Sequence, residues 1–155
     1  FYLSWKARQY NFEARFIELA GNVNGAMPEF VVQRIIDALN SQKKSLNGSR
    51  VHIIGVAYKR DVNDLRESPA LEVLELLAHR GAEVSYTDPY VPAFKHASLD
   101  LVSVDEAQAH VKADCGVIIT DHKVFNYAAM VERFPLLVDT RNALKGVNQP
   151  NVFRL

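Results

Sequence analysis

The chain has 155 residues, 48% of them apolar, with 18 basic side chains against 18 acidic ones. That size suits one domain with an appendage, and the balanced charge argues against nucleic acid as the main partner. A single cysteine excludes an internal disulfide framework and fits a reducing, cytoplasmic setting, and no apolar run is long enough to span a bilayer.

The opening FYLSWKARQY lacks the basic start and long apolar middle of a signal peptide. It starts at Phe1 rather than a methionine and enters an amphipathic pattern at once, as a cut from a longer protein would. Phe1, Leu3, Trp5 and Ala7, beside Lys6 and Arg8, predict a short helix to Tyr10, interrupted at Asn11. Over residues 14–42 apolar residues recur at helical spacing: Phe16, Leu19, Val23, Met27, Val31, Ile35 and Leu39. Pro28 lies inside this pattern and removes one backbone donor, so a kink or break is expected over residues 24–27. Val32 and Ile36 widen the stripe beyond a single seam, which implies a second surface: a partner subunit or a further domain. Packing across the sheet is the simpler alternative. The polar segment SQKKSLNGSR, with its Asn47-Gly48 turn signal, divides a helical arm (1–46) from a domain over 47–155.

Residues 51–57 (VHIIGVA) read as a buried strand. A loop carrying Lys59, Arg60 and Arg66 follows, with Asp61, Asp64 and Glu67 among them. Ser68 as cap and Pro69 in the first turn open a helix over 69–79, stopped at Gly81. Residues 83–87 are the next strand, ended by Asp88-Pro89. Residues 90–101 read as irregular. Residues 103–110 read as a short helix with a capping box of Ser103 and Glu106. Strand 115–120, helix 121–134, strand 136–139 and an edge strand over 151–155 complete the chain. Alternating βα units predict an α/β fold: a Rossmann-like, doubly wound, mostly parallel sheet preceded by a long helical arm.

Such sheets bind ligands at the carboxyl ends of their strands. The loops 58–67, 88–92, 121–123 and 140–145 share that edge, which brings Arg141 alongside Lys59 and Arg66 and predicts an anion site. The plainer alternative is that Asp61, Asp64 and Glu67 neutralise the cations and the loop is merely solvated. The Gly-x-Gly-x-x-Gly of a nicotinamide-binding half is missing, since Gly55 stands alone and Tyr58, Lys59 and Arg60 fill the turn. Side-chain cations would replace backbone amides as the phosphate grip. Asp88 then reads as a turn former ahead of Pro89. Cys115 reads as a buried structural thiol, and the five histidines show no metal spacing. His122 follows Asp121 on the ligand edge, within reach of a ligand, but reads more simply as a helix-start residue facing solvent.

Four segments, GVAYKRDVNDLRESPALEVLELL, GAEVSYTDPYVP, ADCGVIITDH and LLVDTRNAL, resemble in order the carboxyl-terminal half of the UDP-glucose/GDP-mannose dehydrogenase family. The opening FYLSWKARQYNFEARFIELAGNVNGAMPEFVV resembles the central-helix region of the branch that oxidises UDP-N-acetylhexosamines. The resemblance implies an NAD-dependent oxidation of a UDP-sugar C6 alcohol to the uronic acid, through a cysteine thioester. It implies a homodimer built on the long helix, and a place in polysaccharide biosynthesis. The NAD-binding domain, catalytic cysteine and catalytic lysine of that family precede the position of Phe1. This part is therefore expected to carry no catalytic residue and no metal, and to be inactive alone; Cys115 does not match the catalytic cysteine. By the same resemblance Tyr58, Lys59 and Arg141 contact the UDP-sugar, and Arg66 reaches toward NAD. The alternative is a non-enzymatic nucleotide-binding or regulatory module with a dimerising helix.

Overall fold

Val51, His52, Ile53 and Ile54 are all fully buried, so the strand they form, β1 (Arg50–Ile54), is covered on both faces. The computed structural model describes residues 2–155, with Glu106 by its backbone alone. The remaining elements are α1 (Tyr2–Arg8), α2 (Arg15–Ser41), α3 (Pro69–His79), β2 (Glu83–Thr87), β3 (Ala93–His96), β4 (Leu99–Val102), α4 (Glu106–Lys112), β5 (Cys115–Ile118), α5 (Tyr127–Arg133), β6 (Leu137–Asp139) and β7 (Val152–Arg154). Five strands form one parallel sheet in the order β2-β1-β5-β6-β7, with Val51 level with Val84 on one side and Cys115 on the other. The order reverses between β1 and β5, and sheets of this kind bind ligands at the carboxyl ends beside such a reversal.

The pleat sorts side chains onto two layers. Val51, Ile53, Val117 and Val138 pack with Ile35, Leu39, Val73, Leu74 and Leu77 of α2 and α3. Ile54, Ile118 and Leu137 pack on the other face with Met130, Phe134 and Leu144. Cys115 lies fully buried in the first layer, where burial pushes its thiol up to about 12.

Of the kink or break expected over residues 24–27, the break does not occur, since α2 runs unbroken through Pro28. A proline removes one donor of the ladder, and here its ring is buried while the turns on either side continue. The two halves of α2 differ sharply. Val31, Val32, Ile35, Ala38 and Leu39 belong to the core, whereas Phe16, Leu19, Val23 and Phe30 are exposed, Phe16 at 89%. Tyr2, Leu3, Trp5, Tyr10 and Phe12, before α2, are exposed as well. Phe1, expected to begin the first short helix, lies outside the described residues. Leu39→Ala should cost about 2–5 kcal/mol in urea unfolding, in a single transition. A loss below about 1 kcal/mol would show that this half of the helix is not part of the cooperative core.

Three other expectations shift. Residues 90–101 contain the antiparallel hairpin β3–β4, turned at Ala97, which has φ of 49° and no glycine signal. The helix expected over 121–134 is only α5, capped by Asn126 accepting from the Ala129 N–H; residues 119–126 are loop. α4 is capped by Asp105, accepting from the Ala107 N–H at 2.9 Å, not by Ser103. Ser103 Oγ instead accepts from the Asp88 N–H at 2.9 Å. The Glu106 half of the expected capping box lies outside the described residues.

Candidate functional site

Gly55 ends β1 with φ of +77°, and a Cβ there would overlap the Thr120 carbonyl oxygen. Its N–H donates to Thr87 O at 2.9 Å, so the turn is drawn against both neighbouring strand ends. Thr120 Oγ1 donates to Ala57 O at 2.6 Å, and Ser68 Oγ donates to Val56 O at 2.7 Å. The Val56 and Ala57 N–H groups both donate to Asp88 Oδ2, at 2.8 and 3.0 Å. Asp88 Oδ1 accepts from the Tyr90 N–H at 2.8 Å, and His122 Nε2 lies 3.0 Å from Oδ2. Burial pushes the Asp88 carboxyl up, but the hydrogen bonds from His122 and these three amides outweigh it and leave it below its ordinary value. Asp88 is thus a turn former and also a buried clasp, a role that its position before Pro89 did not reveal. The amides a dinucleotide pyrophosphate would need at this turn are engaged by Asp88, so the β1 turn does not fit NAD.

Beyond the clasp lies a basic rim. Arg60 Nη2 pairs with Asp121 Oδ2, and Arg141 Nε lies 3.5 Å from Asp121 Oδ1. Two guanidiniums from the loops after β1 and β6 therefore meet on one nearly buried carboxylate in the loop after β5. Burial pushes the Asp121 carboxyl up; its bond to Arg60 and the charges of Arg60 and Arg141 bring it below its usual value. Lys59, next to Arg60, holds its Nζ 5.2 Å from the centre of the half-exposed Tyr58 ring. Among the described residues Lys59 makes no ion pair. A cavity of about 280 Å³ opens beside Arg141, lined also by Asp139, Thr140, Asn142, Arg154 and Leu155. Asp139 holds this turn by accepting from the Arg141, Ala143 and Leu144 N–H groups at 2.8–3.1 Å.

The expectation that acidic neighbours neutralise the loop is met only in part. Arg66 forks onto Asp64 at 2.9 and 3.0 Å, pushing that carboxyl down to about 2, and Lys123 Nζ lies 3.6 Å from Asp61. Arg66 is 89% exposed at the outer side of its loop and does not join Arg60 and Arg141. His122 is completely buried, against the expectation of a solvent-facing helix start, because no helix begins there. Reading the chain missed Arg60 and Asp121 as a pair; their charges were visible, their meeting across 61 residues was not.

Asp88 and Asp121 are both depressed from 3.8, so the folded state holds fewer protons than the unfolded chain around that pH. Their stabilisation is fully present above about pH 5 and is lost as pH falls through 3.8 toward the lowered values. Melting temperatures over pH 3–6 should therefore drop on the acid side, and Asp121→Asn should flatten part of that slope. An unchanged acid limb in the variant would remove Asp121 from this role.

Residues 52–146 match the family model described as UDP-glucose/GDP-mannose dehydrogenase family, UDP binding domain. The chain belongs to the UDP-glucose/GDP-mannose dehydrogenase family. A UDP-N-acetyl-D-mannosamine dehydrogenase of Methanococcus maripaludis is 34% identical over 121 residues, covering 78% of this chain and 27% of that protein. A UDP-D-ManNAc dehydrogenase from Pyrococcus horikoshii superposes with a TM-score of 0.75 at 27% identity, over 89% of this chain and 32% of that one. A UDP-glucose dehydrogenase from Pyrobaculum islandicum, at 24% identity and a TM-score of 0.77 over 97% of this chain and 34% of that one, shares the fold. The chain thus spans about a third of the length of these relatives. Arg60, Asp121 and Arg141 all lie within the matched UDP-binding domain.

Proposed function

We propose that this chain is the UDP-gripping and dimerising part of an NAD-dependent UDP-sugar 6-dehydrogenase, which oxidises the C6 alcohol of a UDP-N-acetylhexosamine to the uronic acid. The observation that carries this reading is the meeting of Arg60 and Arg141 on Asp121 where the strand order reverses, next to Lys59, which makes no ion pair among the described residues. Arg141 and Lys59 present charge to the nucleotide's phosphates, and the Tyr58 ring shapes the wall next to Lys59. A diphosphate entering there shares the two guanidiniums with Asp121, which holds them in place beforehand. NAD belongs mainly to a domain outside this chain, in keeping with the occupied amides of the β1 turn. Arg66, exposed and braced by Asp64, reaches toward that cofactor across the domain cleft.

The exposed apolar face of α1 and the first half of α2 is the homodimer surface, and residues 1–46 act as an arm on the domain over 47–155. The whole enzyme acts in the cytoplasm, in polysaccharide biosynthesis. No described helix is long and apolar enough to cross a membrane.

Calorimetric titration of UDP and of uridine against the wild type and Lys59→Ala tests the grip. UDP should bind more tightly than uridine, and Lys59→Ala should lose about tenfold for UDP alone. Equal UDP affinities would remove Lys59 from the site. With NAD and UDP-N-acetylhexosamines the chain alone should yield no NADH, and light scattering should report a dimer. Steady NADH formation would refute the inactivity, and a strict monomer the dimer surface.

A further inference from the structure

His122 is the one completely buried histidine on the ligand edge among the described residues. The backbone N–H of Asp61 points at its Nδ1 from 2.9 Å. A backbone amide only donates, so Nδ1 carries no proton. Nε2 must then bear the hydrogen, and it donates to Asp88 Oδ2 at 3.0 Å. The tautomer follows from its two partners: a neutral imidazole protonated at Nε2. The ring is held between Tyr90 and Phe125, with centroids at 4.9 and 5.5 Å. One side chain thus ties together the loops after β1, β2 and β5.

Asp61 is the sensitive end of this tie. It sits at φ of 60°, a conformation disfavoured for any residue with a Cβ. Its carboxylate accepts from the Lys123 N–H at 3.0 Å, so residues 122 and 123 hold it from both sides. Lys59 and Arg60 directly precede it. The charged groups around the ring are Asp88, Asp61, whose Oδ1 lies 3.8 Å from Nδ1, and Lys123 on Asp61; Tyr127 adds a hydroxyl, donated to His122 O.

We propose that His122, as the neutral Nε2–H imidazole, is a positioning residue that fixes Asp61 and thereby presents Lys59 and Arg60 to the nucleotide's phosphates. The nucleotide part rests on the function proposed above. Long-range proton–nitrogen NMR of the imidazole should show a bare Nδ1 and a protonated Nε2. In His122→Ala the Asp61 amide should exchange with solvent about tenfold faster, and UDP should bind about fivefold more weakly. In His122→Asn the amide oxygen stands near the Nδ1 position and should restore most of both. His122→Gln, which reaches Asp88 instead, should restore neither. A protonated Nδ1 would overturn the proposal, as would wild-type exchange and affinity in His122→Ala. Should the alanine variant not fold, the Asn and Gln variants decide, because each keeps one of the two bonds; equal behaviour in both overturns the proposal. A wild-type chain that ignores UDP overturns the nucleotide reading, and the tautomer with the Asp61 exchange rate still decides whether the pin exists.

Discussion

Arg141→Ala should weaken UDP binding by about tenfold to a hundredfold and leave the fold intact. A charge-assisted hydrogen bond contributes roughly 1.5–3 kcal/mol, and about 1.4 kcal/mol is a factor of ten in affinity. The fold survives because the Arg141 side chain is more than half exposed, and its backbone N–H stays on Asp139 Oδ1 whatever the side chain. Asp121 keeps Arg60 as its partner, so no carboxylate is left buried and uncompensated. Arg141→Lys should fall between, since it keeps the charge and loses the planar fork. Calorimetry at low and moderate salt reads the effect, and the difference between variant and wild type should shrink as salt screens the phosphates. A variant with wild-type affinity for UDP would sink the rim as the phosphate grip.

Gly55→Ala should be the most damaging small change in the molecule, lowering stability by about 3 kcal/mol or more. The left-handed conformation costs an alanine roughly 1–2 kcal/mol, and forcing a methyl into a packed site costs roughly 1–3 more. Both apply here, because φ is +77° and the obstacle is the Thr120 backbone, which cannot swing aside as a side-chain end would. The expected relief is a shift of the Thr120–His122 segment. That would disturb the Ala57–Thr120 bond and the His122 contacts in the same step. UDP affinity should therefore fall with stability. Urea unfolding checks the first effect and titration under folding conditions the second. A loss below about 1 kcal/mol would mean the turn absorbs the methyl, and that Gly55 is not required by its backbone.

Much of the layout was legible along the chain, because each signal is local. Ser68 and Pro69 open α3, and Gly81 lies just beyond it with φ of +85°. β2 coincides with the strand expected over 83–87, and β7 lies at the sheet edge as expected. The elements that shifted are those set by partners distant in sequence. Ser103 looks like a cap, yet its hydroxyl serves Asp88 across 15 residues. Residues 121–126 look helical, yet His122 is anchored by Asp61 and Asp88, and the helix waits for Asn126.

Composition and periodicity sufficed for the parallel α/β sheet, the edge on which the loops after its strands gather and the cations those loops carry. Each depends on the spacing of residues along one segment. Which carboxylate each cation meets, and whether a histidine faces water or the interior, depended on how three loops pack at the reversal of strand order. Ion pairs and buried hydrogen bonds need groups within about 3–4 Å in space, and separation along the chain carries almost no information about that distance.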